Sequence, residues 1–200
     1  MVVPMGEALH NTGCHRPVLR LHIVGSKNHG KTTLIEQLVP ALKARGWRVG
    51  TVKHTHHRHE LDVPGKDSHR HRMAGAEPVA VLSRDLVAVY IPRGRDSSQE
   101  PYDFLERWFD ACHIVLVEGD MQARGAKIEV WRAQLGTPPR AIEDPSILAV
   151  VTDDPVCVQV PVLPRHNLAP LVSWIEQLLH DSRANSQPEP PSGSSLPPGN

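Results

Sequence analysis

The sequence predicts an α/β fold with a mostly parallel central sheet, on three observations. Short apolar runs at residues 19–24, 114–117 and 147–151 have the length and composition of buried strands. Stretches with helical apolar spacing, at 32–45 and 168–179, alternate with them. A glycine-bounded loop joins the first of these strands to the first of these helices. Strands that alternate with helices run parallel, because each helix carries the chain back across the sheet.

Taken in order, the run 19–24 reads as the first strand. In 32–45, Leu34, Ile35, Leu38 and Leu42 share one helical face, and Gly46 stands where a left-handed residue ends a helix. Pro40 removes an amide donor from that helix and is expected to kink or weaken it. A second strand is expected over 47–53 and a short helix over 68–76. Strands at 79–82 and 86–91 flank the turn Ser83-Arg84-Asp85. Pro101 opens a helix to residue 109, at a position where its missing donor costs nothing. Further strands are expected at 114–117, 127–131 and 147–151, with an edge at 158–163. Leu168, Leu171, Val172, Ile175, Leu178 and Leu179 mark one face of a last helix, capped by Asn167.

These elements make one expected domain over 18–180. The segment 1–17 has no clear period and reads as flexible. The tail 181–200 is rich in Pro, Ser, Gly and Asn and reads as disordered, since it cannot bury enough apolar surface to offset ordering entropy.

Composition narrows the function classes. The chain has 200 residues and zero formal net charge, so nothing draws it as a whole to nucleic acid or an anionic membrane. Its 13 histidines add positive charge as pH falls through about 6.5. Cys14, Cys112 and Cys157 form no CxxC pair, which fits a reducing compartment. There is no apolar run of about 18 residues, and His10, Asn11, Cys14 and His15 stand where a signal peptide needs an apolar centre. A cytoplasmic protein is expected.

The loop Gly25-Ser26-Lys27-Asn28-His29-Gly30-Lys31-Thr32 matches G-x-x-x-x-G-K-[ST] without a gap. A strand leads in and a helix leads out, which makes the expected fold a P-loop NTPase three-layer sandwich. Gly25 and Gly30 allow the tight turn that brings N–H groups of the loop, from Ser26 to His29 included, toward phosphate oxygens. The helix N-terminus adds its positive dipole end. Lys31 can reach the β- and γ-phosphates, Thr32 can ligate magnesium, and Thr33 can contact the α-phosphate.

Other candidates follow from placement. Lys53 and His54 end the second strand, on the sheet edge where ligands collect. The run His56, His57, His59 is either a solvated loop or a metal site, though its spacing specifies no tetrahedral set. Asp67 reads as a helix cap; Asp62 or Asp67 could instead reach the magnesium shell through water. Glu118 ends an apolar strand, where a carboxylate orients magnesium or its water. Asp153 or Asp154 follows a late strand and could read guanine, but the full signature with Lys is absent. Cys112 and Cys157 read as core packing.

The loop through Ile35, then Arg45 to His54, Asp62 to Ser68, His71 to Ala76, Val117-Glu118-Gly119 and Lys127 to Val130, form an ordered set. This set, over roughly residues 18–155, resembles the MobB family of molybdopterin-guanine dinucleotide biosynthesis adaptor proteins. The resemblance implies a homodimeric GTP-binding protein with weak GTPase activity and bound Mg2+. It would assist molybdopterin guanylyltransferase, which joins GMP to molybdopterin, alongside other late molybdenum-cofactor proteins. Carried over by position, Gly30, Lys31 and Thr32 bind phosphate and magnesium, and Lys53, His54 and Glu118 line the same site. Asp120-Met121 departs from the aromatic residue and lysine usual there; the histidine run is denser than usual. No catalytic base or arginine finger is evident, so turnover should be slow. Two competing readings are a P-loop small-molecule kinase, using Glu118 with Arg70 or Arg72 and a lid tip at Arg93 and Arg95, and a metal-handling protein using the histidine run.

Overall fold

A computed structural model describes residues 18–55, 60–92 and 102–184. In chain order the elements are β1 (Leu19–Val24), α1 (Lys31–Ala44), β2 (Val49–Lys53), α2 (Asp67–Met73), β3 (Val79–Leu82), β4 (Val87–Tyr90), α3 (Asp103–Phe109), β5 (Ile114–Glu118), β6 (Ala126–Val130), β7 (Ile147–Val151), β8 (Val162–Leu163) and α4 (Ala169–Ala184). They fall into two compact units, one formed by residues up to 54 and from 107 onward, the other by residues 55–106.

In the first unit six strands pair in the order β2-β5-β1-β6-β7-β8, all parallel. The expected mostly parallel α/β sheet is present. Alternation along the strands sends Leu21, Ile23, Leu116, Ile128 and Val151 to one face, where they meet Leu34, Leu38 and Leu42 of α1 and Leu171, Ile175 and Leu179 of α4. The opposite face holds a smaller cluster of Val24, Trp131, Ala141, Ile147 and Val150. Strands buried on both faces read as near-continuous apolar runs, which is why β5 and β7 stand out in the sequence.

Local chemistry sets the element ends. Gly46 takes φ 85° and its N–H bonds to Lys43 O at 3.0 Å, closing α1 as expected. Helix α1 runs unbroken through Pro40. The second strand starts at Val49, later than expected, because Trp47 N–H is taken by Leu42 O at 3.1 Å in the helix terminus. Asn167 Oδ1 accepts from Ala169 N at 3.1 Å and caps α4, which continues to Ala184, past the expected limit at residue 180. The edge at 158–163 shrinks to β8, because Pro161 and Pro164 bound it and supply no amide donors.

The second unit holds α2 and the antiparallel hairpin β3–β4, in the register Val79↔Tyr90 to Leu82↔Val87. Asp67 is the first residue of α2 rather than its cap; Lys66 precedes the helix, and no side chain caps it. The Asp67 carboxylate lies 3.9 Å from Arg70 in the first turn instead. The segments 1–17 and 185–200, the histidines 56, 57 and 59, and Arg93 and Arg95 lie outside the described residues. Among the described residues no helix is long and apolar enough to cross a membrane.

Candidate nucleotide-binding site

The glycine-bounded loop leaves β1 at the carboxyl edge of the sheet, between the ends of β5 and β6. Gly25 takes φ 134°, and a β-carbon there would lie 2.4 Å from Val130 O. Only glycine permits that approach of loop to strand. Asn28 adopts φ 69°, a left-handed value that asparagine tolerates better than most residues. Leu34 N–H bonds to Gly30 O at 2.9 Å, so the helix begins directly on the loop, while His29 N–H bonds within the loop to Ser26 O at 3.4 Å.

His29 braces this loop from beneath. Its ring is buried, and Nδ1 accepts the Arg132 backbone N–H at 3.1 Å. A backbone amide can only donate, so the ring proton belongs on Nε2, which stands 3.3 Å from Thr137 Oγ1. Burial holds the imidazole pKa down, and the charges of Lys31 and Arg132 add to that effect. The side chain therefore anchors the loop to the segment after β6 and is not placed to meet a phosphate.

The other functional side chains converge on Glu118. Lys53 and Glu118 are direct neighbours across β2 and β5. Lys53 Nζ pairs with Glu118 Oε1, and Thr32 Oγ1 donates to the same oxygen at 2.7 Å. Burial alone would push the Glu118 carboxyl up; hydrogen bonds from Lys53 and Thr32, with the charges of Lys53 and Lys31, outweigh it and hold the pKa below its ordinary value. Lys31 Nζ folds back onto the loop, donating to Gly25 O at 2.9 Å and Ser26 O at 2.8 Å. Burial lowers the Lys31 pKa, the Glu118 charge opposes that and Lys53 reinforces it. A hydroxyl and a carboxylate oxygen in contact are the hard donors magnesium takes, so Thr32 and Glu118 fit that ion. Among the described residues no three His, Cys, Asp or Glu side chains are placed to hold a metal.

His54 follows β2, and its N–H bonds to Glu118 O at 3.0 Å. Its Nε2 stands 3.8 Å from Asp120 Oδ2, so the acid that departs from the family pattern faces the histidine. Lys27 and Thr33 are exposed on the loop and the first turn. Asp153 stands apart from this cluster: its Oδ1 accepts from Arg165 N at 2.7 Å and His166 N at 3.0 Å and lies 2.7 Å from His166 Nδ1. Asp154 Oδ2 accepts from Ala133 N at 2.8 Å. In the second unit Arg72 pairs with Glu60, and Asp62 Oδ1 accepts from Val63 N at 2.7 Å.

Three residues of this site escape the motif reading: Asp120, Thr137 and Arg132. Arg132 follows directly on β6 at the ligand-facing edge, and that position is the one signal the sequence carries for it.

A glycine-rich loop from a central parallel strand to a helix N-terminus, with Lys, Thr and a strand-end carboxylate around it, defines a P-loop nucleotide-binding protein of the α/β class. The family model for MobB, molybdopterin guanine dinucleotide synthesis protein B, matches residues 20–153. The chain is 36% identical over 149 residues to the molybdopterin-guanine dinucleotide biosynthesis adapter protein of Escherichia coli K12, covering 73% of this chain and 85% of that one. It is 35% identical over 162 residues to the adapter protein of Haemophilus influenzae, covering 80% and 89%. A crystal structure of molybdopterin-guanine biosynthesis protein B superposes with TM-score 0.63 at 28% identity, covering 81% of this chain and 99% of the other. A MobB homologue from Bacillus stearothermophilus gives 0.56 at 26%, covering 81% and 98%. The chain belongs to the MobB family.

Proposed function

We propose that this chain is a GTP-binding accessory protein that assists attachment of GMP to molybdopterin, working beside molybdopterin guanylyltransferase in the cytoplasm. The observation that carries the reading is the convergence of Lys31, Thr32, Lys53 and Glu118 on a glycine-shaped loop, within a family named for this pathway. Loop amides and Lys31 would hold the phosphates. Thr32 and Glu118 would hold Mg2+, which supplies charge neutralisation between the β- and γ-phosphates. With Thr32 and Glu118 as the residues that would hold the metal, Lys53, which neighbours Glu118, would be the cation available to a phosphate. His54 and Asp120 close the same edge. Asp153 is the candidate for the guanine edge, since its second carboxylate oxygen is outside the bonds to Arg165 and His166. Among the described residues Glu118, the carboxylate that reaches Thr32 of the loop, is engaged by Lys53 and Thr32 and is a poor general base, which favours slow hydrolysis. Titration of the chain with GTP and ATP, each with magnesium, tests the assignment: GTP is expected to bind at least tenfold more tightly, roughly 1.4 kcal/mol. Equal affinities would remove guanine recognition from this chain.

The working form is a homodimer. Hairpin β3–β4 has two outer edges without a partner strand among the described residues, and Leu82, Leu86 and Val87 expose 79%, 76% and 51% of their surface. Two strands alone make a marginal sheet, and a second hairpin from another copy extends it and covers those side chains. The double substitution Leu82→Asp and Val87→Asp is expected to convert the dimer to a monomer in light scattering, and an unchanged mass would place the interface elsewhere.

A further inference from the structure

His29 sits inside the phosphate loop, between Asn28 at φ 69° and Gly30 at φ 95°. Left-handed residues on both sides make a backbone that an untethered chain seldom keeps. The His29 ring is the tether. It is 1% exposed, with Nδ1 accepting from the Arg132 backbone N–H at 3.1 Å and Nε2 standing 3.3 Å from Thr137 Oγ1. Both partners lie beyond β6, 103 and 108 residues away along the chain.

One protonation state of the imidazole fits these partners. An amide can only donate, so Nδ1 must keep its lone pair. The Thr137 hydroxyl can accept, so the ring proton sits on Nε2. A second proton, on Nδ1, would set donor against donor at Arg132 N. The surroundings oppose that proton as well. Burial is the largest influence lowering the pKa, Lys31 follows and Arg132 adds to both, while the Val130 carbonyl works the other way. Lys31 Nζ is held within the loop, on Gly25 O and Ser26 O. The Arg132 guanidinium covers Gly30, with Nη2 3.0 Å from where a β-carbon would stand. One residue further along that segment, Ala133 N donates to Asp154 Oδ2 at 2.8 Å, which brings an acid to the same side.

We infer that His29 is a positioning residue for the nucleotide: its neutral imidazole holds the phosphate loop in the shape that binds, and a proton on Nδ1 releases the loop. This role rests on the proposed GTP-binding reading and adds a pH dependence to it. Proton linkage sets the direction. In the anchored loop the imidazole takes up a proton less readily than at its ordinary value of 6.5. A released ring meets water and regains that ordinary value. Acidification through about 6.5 therefore favours the released loop, and nucleotide affinity falls with the anchored population.

The test is calorimetric titration of wild type, His29→Asn and His29→Ala with Mg–GTP at about pH 7.5 and about pH 5, on either side of the imidazole range. Each protein is compared with itself, so the ionisation of the nucleotide and of the other histidines is common to all three. Wild type should lose about tenfold more affinity on acidification than His29→Asn, whose side-chain oxygen accepts from Arg132 N–H and does not titrate. His29→Ala should bind more weakly than wild type at the higher pH and show no extra loss at the lower. Nitrogen NMR of the wild-type chain, which depends on no variant folding, should show His29 protonated on Nε2 alone at the higher pH. Equal acid losses in wild type and His29→Asn, wild-type affinity in His29→Ala at the higher pH, or a His29 ring protonated on Nδ1 there would each overturn the inference while leaving nucleotide binding intact. A wild-type chain that binds no Mg–GTP at the higher pH overturns the proposed function and this inference together.

Discussion

Replacing Lys31 by alanine is expected to weaken Mg–GTP binding by more than about a hundredfold, roughly 3 kcal/mol, with the fold retained. The lysine reaches only loop carbonyls in the free protein, Gly25 O and Ser26 O, both on a solvent-facing turn. Losing those bonds costs the folded state about 1 kcal/mol at most, because water can replace the donor. Losing the phosphate contact leaves a multiply charged group without its main side-chain counter-ion. Binding isotherms at matched magnesium, with a melting curve on the same sample, separate the two effects. Affinity within threefold of wild type would mean that the loop does not hold the nucleotide.

Gly25→Ala should be the most disruptive change in the loop for stability itself. Two costs coincide there: φ 134°, a region that residues with a β-carbon avoid, and a β-carbon 2.4 Å from Val130 O. Backbone strain accounts for about 1–3 kcal/mol and the clash with a buried strand carbonyl adds to it, for a total of about 3–5 kcal/mol. For a chain of this size the melting temperature should fall by about 10 °C. Gly46→Ala is the control, since Gly46 has φ 85° but nothing within 4 Å of an added β-carbon. It should lose only about 1 kcal/mol. Equal melting temperatures for the two variants would show that loop and strand do not make the approach described.

Much of this could be read from the residues. The parallel sheet was legible because β5 is buried at every position and β7 at every position but Leu148, so both lack polar alternation. The glycine-bounded loop between β1 and α1 was legible because its sequence pattern and its place between a strand and a helix coincide. The position of Glu118 at the end of β5 was legible because an apolar strand delivers its last residue to the sheet edge. Other features arise from contacts between distant segments. Nothing within residues 25–32 says that His29 turns inward to Arg132 and Thr137, because that choice depends on where β6 ends. The same holds for Asp120, whose meaning depends on His54 across the sheet edge. The cap expected at Asp67 moved by one residue, a shift that side-chain chemistry alone does not decide. Strand edges were least legible, since β2 and β8 are trimmed by a helix terminus and by prolines rather than by their own propensity.

The anchoring of His29 also bears on when entropy is lost. A loop tied to β6 through a buried imidazole is ordered once the chain has folded, whether or not a nucleotide is present. The ligand then arrives at a cradle whose backbone has little freedom left to surrender, and more of its contact energy remains as affinity. What must still rearrange is the internal grip of Lys31 on Gly25 O and Ser26 O, a short side-chain motion with no refolding of backbone.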